Sequence, residues 1–195
     1  MSVSASIVAD LREKTGVGMM DAKRALEDAG GDEAKAIELL RKKGMKAAEK
    51  RQDRVAREGV VEAYVHSNAR VGVLVSLACE TDFVARNDSF RQLAHEIALH
   101  IAAMNPQYLA PADIPQDVLE KEREIYRDQV RAEKKPEAMV EKIVEGKMQK
   151  FYKDTCLLQQ AFVKDESKTI EDLIVEATAK IGEKIEIREF VRLKV

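Results

Sequence analysis

The sequence predicts an α+β fold. A small N-terminal three-helix module and a linker helix precede a core with a three-stranded antiparallel sheet, packed by helices and a helical hairpin. Three patterns carry that expectation. Before residue 45, apolar residues recur at helical spacing in three short stretches separated by glycines. Over 60–66 and 71–79 they alternate instead, as in half-buried strands joined by a short connection. A third alternating run, Ile185, Ile187, Val191 and Leu193, closes the chain and must return to the hairpin sheet to find cover, with Phe190 turned to the opposite face. A chain of 195 residues is long enough for a small module beside a larger core.

In the first stretch Ser4 or Ser6 caps a helix with Ile7, Val8 and Leu11 on one face, and Gly16 ends it. Gly18 precedes a second helix that turns Ala22, Ala25, Leu26 and Ala29 inward and stops at Gly30-Gly31. Asp32 caps a third, whose Ala36, Ile37 and Leu40 face inward until Gly44 breaks it. Residues 1–44 thus resemble a ubiquitin-associated (UBA-like) module. Met19 and Met20 stand where a loop enters a helix, either as adaptable surface contacts or as completion of a thin core. Residues 45–58 read as a basic linker helix. From Arg41 to Arg57 eight cations face only Glu49 and Asp53, and without interleaved aromatics a solvated linker is favoured over a nucleic-acid arm.

The remaining residues, 59–195, read as an α+β core. Val61, Ala63 and Val65 share one face of the first strand, with Glu62, Tyr64 and His66 on the other. Val71, Val73, Val75, Leu77 and Cys79 share a face of the second. Phe90, Leu93, Ala94, Ile97, Ile101 and Met104 mark an amphipathic helix that should cover this hairpin. A charged segment over 116–134 and a helix begun by Pro136 pair across Lys134-Lys135-Pro136 as the helical hairpin 115–153. Cys156-Leu157-Leu158 packs its base, Thr169 and Asp172 suit a capping box, and Gly182 stops the last helix.

The residues exclude several chemistries. No GxxxxGK[ST] or GxGxxG segment is present to hold a nucleotide phosphate, so no cofactor is expected. Neither Cys79 nor Cys156 has a CxxC partner or a cationic neighbour, and His95 and His100 do not share a helix face for a metal. A net charge of -2, no Trp and few aromatics argue against nucleic acid as a partner. The first residues lead straight into a charged helical pattern, with no signal peptide or membrane-length segment, which predicts a cytoplasmic place and no membrane contact. A binding or regulatory protein, not an enzyme, is the expected class.

Within such a chain Thr81-Asp82-Phe83-Val84-Ala85-Arg86-Asn87 stands out. It joins the most strand-like run to a helical repeat, and it sets one aromatic among polar neighbours. Phe83 either caps its own core or enters another protein.

Two long motifs then resemble the translation elongation factor Ts family. One is Leu11-Arg12-Glu13-Lys14-Thr15-Gly16-Val17-Gly18-Met19-Met20-Asp21-Ala22-Lys23, and the other is Cys79 to Asn87. Ile181-Gly182-Glu183-Lys184-Ile185-Glu186-Ile187-Arg188 looks like the family's closing helix-to-strand passage. The resemblance implies guanine nucleotide exchange on elongation factor Tu, with the nucleotide and Mg²⁺ held by that partner and not by this chain. It implies that Thr81, Asp82, Phe83 and Val84 displace the partner's Mg²⁺ contacts. Arg12, Met19, Met20 and Lys23 would hold the partner's GTPase domain. Longer members duplicate the core half, and this chain is similar to the short form, for which the family implies a homodimer. Two other readings make different predictions. A UBA-like adaptor would keep most affinity in its isolated N-terminal module, and a nucleic-acid binder using residues 41–57 would bind RNA with a steep salt dependence.

Overall fold

A computed structural model describes residues 3–133 and 135–195. Met1 and Ser2, in the expected N-terminal module, and Lys134, in the expected hairpin connection, lie outside the described residues. The α+β architecture is as the sequence predicts. Two compact units make up the chain. The first comprises the residues up to Val61 together with Ser76–Ala94 and Asp172–Arg188; the second comprises Glu62–Val75, His95–Glu171 and Glu189–Val195.

The first unit opens with α1 (Ala5–Thr15), α2 (Met19–Asp28) and α3 (Glu33–Glu49). Ser4 caps α1 by accepting the Ile7 N–H, and Gly16 closes it in the left-handed region at φ 67°. Val8, Leu11, Ala22, Ala25, Leu26 and Ala36 form one buried cluster, against which Val17, Ala29, Ile37 and Leu40 pack. Ile7, expected inward, is instead exposed. Asp32 caps α3 by accepting the Lys35 N–H at 3.1 Å.

The expected break at Gly44 does not occur. α3 runs through it to Glu49, and Gly44 is buried where an added Cβ would lie 3.4 Å from the Cβ of Ala179. Its lack of a side chain serves the approach to α8 (Ile170–Ile181) and does not end the helix. Nor is residue 50 onward helical: turns follow α3 until β1 (Glu58–Val65) begins. Arg51 ends the helix, because its guanidinium donates to the carbonyls of Ala47 at 2.7 Å and Gly182 at 3.0 Å.

β1 and β2 (Val71–Cys79) form a hairpin, and β5 (Glu186–Lys194) joins it so that β2 is central. The inner face of β2 is buried at Val73, Val75, Leu77 and Cys79. β1 turns its apolar residues outward. Val61, Ala63 and Val65 are exposed, while Glu62 and Tyr64 face inward and find partners in His95 and His66. Along β5 the alternation slips between Ile187, which is buried, and Phe190, which is half-buried. Val191 and Leu193 are therefore left open, although the strand does return to the sheet.

α4 (Asp82–Ala85) and α5 (Asp88–Met104) follow β2. Phe90, Ala94, Ile97, Ala98 and Ile101 of α5 are buried. In the second unit α5 meets the sheet through His95 Nδ1 and Glu62, 2.8 Å apart, and through Arg192, which donates to the Ala102 carbonyl.

α6 (Gln116–Ala132) and α7 (Glu137–Thr155) form the helical pair. Val130, Val140, Val144 and Met148 make its core. Arg123, Arg127 and Arg131 pair in turn with Glu145, Glu141 and Glu137. Each step of four along α6 thus matches a step of four backward along α7, which fixes an antiparallel register. A small hairpin, β3 (Ala161–Phe162) and β4 (Asp165–Thr169), has no counterpart in the sequence pattern, since β3 is only two residues long and β4 carries no apolar alternation.

Candidate functional site

The stretch after β2 is held from both sides. Cys79 is buried at the strand's end, and its S–H donates to the Thr81 carbonyl at 3.2 Å. Burial, then the negative charge of Glu183, pushes this thiol up to about 11, so at neutral pH it is an inert packing group. Thr81 is the N-cap of α4, accepting the Val84 N–H through Oγ1. Asn87 starts the next helix, its side-chain oxygen accepting both the N–H and the hydroxyl of Ser89 at 2.8 Å.

Between these anchors α4 is a single turn. Ala85 is buried and Val84 is half-buried, and Asp82 pairs with Arg86 at 3.1 Å. Phe83 is 82% exposed. Of the two readings open from sequence, the one in which Phe83 caps its own core is therefore excluded.

Glu183, which directly follows the helix-stopping Gly182 in the closing passage, proves central to this geometry. Its Oε2 accepts the N–H groups of Glu80 at 3.1 Å and Thr81 at 3.0 Å, and its Oε1 accepts the Thr81 hydroxyl at 2.7 Å. The contact is reciprocated by Glu80, which accepts the Lys184 N–H at 2.7 Å and pairs with Arg54 at 3.2 Å. The Lys184 N–H first, and then Arg54, hold the Glu80 carboxyl below its ordinary value. Lys184 Nζ donates to the Gln52 carbonyl at 2.8 Å. Residues 51–54, 80–81 and 182–184 are laced together by polar bonds. Hydrophobic pattern could not find such a contact. The only local signal was a carboxylate directly after a helix-ending glycine.

The N-terminal residues singled out from sequence lie on the surface. Arg12 is exposed on α1, Met19 and Met20 are 47% and 58% exposed in the first turn of α2, and Lys23 follows one turn on, 3.8 Å from Glu27. Neither methionine completes the module's core. This group and the Thr81–Val84 segment belong to the same compact unit.

The basic run is not a free arm. Besides Arg51 and Arg54, Lys42 pairs with Glu38, Lys43 with Asp21 and Arg41 with Glu176. Among the described residues no group of three His, Cys, Asp or Glu could hold a metal, and no helix is long and apolar enough to cross a membrane.

Comparison with known proteins decides the family. The family model for elongation factor Ts matches residues 21–195. A protein of Fervidobacterium nodosum named elongation factor Ts is 52% identical over 195 residues, covering 100% of this chain and 99% of its own. One from Desulfitobacterium hafniense is 56% identical over 193 residues, 99% of this chain and 89% of its own, and one from Thermodesulfovibrio yellowstonii is 54% identical over 195, 100% and 97%. The chain belongs to the elongation factor Ts family. That family is the nucleotide exchange factor for elongation factor Tu in translation elongation, and it performs no covalent catalysis. At 195 residues the chain fits the family's short form.

Proposed function

We propose that the chain releases GDP from elongation factor Tu by inserting the Thr81–Val84 turn beside the partner's Mg²⁺ and phosphate site. The exposed Phe83 on its capped, doubly anchored turn is the observation that carries this reading. Phe83 wedges between side chains of the partner's GTPase domain, and Asp82 makes the polar contact beside it. Thr81 and Val84 set the turn. Arg12, Met19, Met20 and Lys23 hold the same domain, so that residues 1–44 act as a docking module, 45–58 as a link and 59–195 as the core. The cytoplasm is the place of action.

Magnitudes limit the role of the wedge. Burying one Phe yields roughly 1.5–3 kcal/mol, whereas nanomolar nucleotide binding amounts to about 12 kcal/mol. Phe83 alone cannot expel the nucleotide. The wider interface supplies the remainder by favouring a partner conformation whose phosphate and Mg²⁺ site is spoiled. Linkage requires the converse, that nucleotide weakens the complex by the same factor, and rebinding of GTP then frees the exchange factor.

The chain acts as a homodimer. Ala63 and Val65 of β1, Leu74 of β2, and Val191 and Leu193 of β5 leave the outer face of the sheet apolar and open. A two-fold packing of identical faces covers it without a second kind of surface. Replacing Leu193 by Glu should convert a dimer to a monomer in sedimentation, and a wild-type monomer overturns this part.

Release of labelled GDP from elongation factor Tu tests the whole reading. The chain should accelerate it, and Phe83→Ala should slow the stimulated rate far more than it lowers the melting temperature. No acceleration by the wild type overturns the proposal.

A further inference from the structure

We infer that Glu183 is a positioning residue for exchange, holding the Thr81–Val84 turn in the pose from which Phe83 can insert; this rests on the proposed role of that turn. A helix of four residues cannot sustain itself, because its nucleation cost is not recovered by so few hydrogen bonds. Nothing packs over Phe83 to steady it, since it is 82% exposed. The orientation of α4 is therefore set by the packing of buried Ala85 and half-buried Val84 together with the bonds at its start. At the start, one carboxylate takes three donors: the N–H groups of Glu80 and Thr81 and the Thr81 hydroxyl.

The third bond has a further effect. The hydroxyl proton points at Glu183, which leaves the Thr81 oxygen lone pairs for the Val84 N–H, the bond that caps α4. Glu183 thus fixes the direction of the cap as well as the path of the backbone into it. The carboxylate comes from a loop more than a hundred residues away in sequence, and Glu80 returns the contact to Lys184. Without Glu183 the turn keeps its residues but samples many poses, and only a fraction of encounters presents the wedge. Docking through Arg12, Met19, Met20 and Lys23 does not depend on that fraction. The loss falls on the maximal stimulated rate and not on the concentration that half-saturates it.

The experiment measures labelled-GDP release from elongation factor Tu against concentration of the full chain, for wild type, Glu183→Ala and Glu183→Gln. Thermal melts fix a temperature at which all are folded. In Glu183→Ala the maximal rate should fall about tenfold while the half-saturating concentration moves less than about threefold. Glu183→Gln keeps an oxygen for the two N–H groups and turns its NH₂ toward the Thr81 oxygen, so it should recover to within about threefold of wild type. If Glu183→Ala does not fold, Glu183→Asp decides, because a carboxylate one methylene shorter cannot reach all three donors and should show the same loss. A wild-type maximal rate in the deciding variant overturns the inference, as does an equal loss in Glu183→Gln and Glu183→Ala. Failure of the wild type to stimulate release overturns the exchange reading itself and is seen before any variant is compared.

Discussion

His100 offers a prediction whose sign and size follow from one buried ring. It has no exposed surface. Its Nδ1 accepts the Val163 N–H at 3.2 Å, which places the ring proton on Nε2, 3.0 Å from the Gln160 side-chain oxygen. Gln160 is oriented by its own NH₂, which donates to the Asp154 carbonyl at 2.8 Å. A second ring proton would face the Val163 N–H across a hydrogen-bond distance. Burial accordingly holds His100 below its ordinary value of 6.5, with the Gln160 bond acting in the opposite direction.

The folded protein thus keeps the ring neutral where the unfolded chain protonates it. Below pH 6.5 the unfolded state binds the extra proton, and stability falls as pH drops, at a limiting slope of about 1.4 kcal/mol per pH unit, until the folded ring protonates too. His100→Asn keeps an acceptor for Val163 and cannot titrate. It should cost roughly 1–3 kcal/mol at pH 8, where Gln160 loses its donor, and the gap to wild type should narrow steadily from pH 7 to 5.5. Urea unfolding followed by far-ultraviolet circular dichroism measures both. Glu80 titrates lower: its stabilisation is present above the ordinary carboxylate value and lost as pH falls through its depressed folded value. A gap that stays constant from pH 8 to 5.5 refutes the reasoning.

Other outcomes follow from single contacts. Gly59 sits at φ +155° with a hypothetical Cβ against the Leu77 carbonyl oxygen and 2.9 Å from the Ala78 Cα, so Gly59→Ala should lose about 2–3 kcal/mol in denaturant unfolding. Met20→Ala should raise the concentration that half-saturates stimulated GDP release while leaving the melting temperature within error, because its side chain is exposed. The full chain should show no salt-sensitive retention of single-stranded RNA by gel shift, since Arg51 and Arg54 are engaged within the fold.

Periodicity made most of the fold legible, because both the helical and the strand repeat arise from burying one face. It read α1, α2, α5, α7 and the three long strands from residues such as Leu26, Ile97 and Val75, which lie fully inside. It failed where another force decides. Gly44 carries the signature of a helix stop, yet its missing side chain serves contact with α8. Val61 and Val65 alternate like core residues and face out, because the inward positions of β1 belong to Glu62 and Tyr64 with polar partners on α5 and the hairpin. The candidate site divides in the same way. Phe83 announced itself as an apolar residue among polar ones, whereas Glu183 holds the start of the turn through the Glu80 and Thr81 N–H groups, far away in sequence, and leaves no pattern to read.

The exposure of Phe83 itself constrains what the turn can do. A Phe packed in its own core would have to leave that core before entering a partner, and the two burial terms would nearly cancel. At 82% exposed, almost none of its side chain is committed within the fold, so nearly the whole transfer term is available on insertion. That advantage is lost if the turn must also be ordered at the moment of binding, since each backbone residue fixed then costs about 1–2 kcal/mol. Ordering even two residues would offset the burial of one Phe. The fold meets this condition by ordering the turn beforehand, with buried Cys79 and Phe90 on either flank, Thr81 as the cap and Glu183 behind it. On the proposed reading the clamp and the exposed ring are one device, and a variant that keeps Phe83 but loosens Thr81 should fail in stimulated GDP release as surely as one that removes the ring.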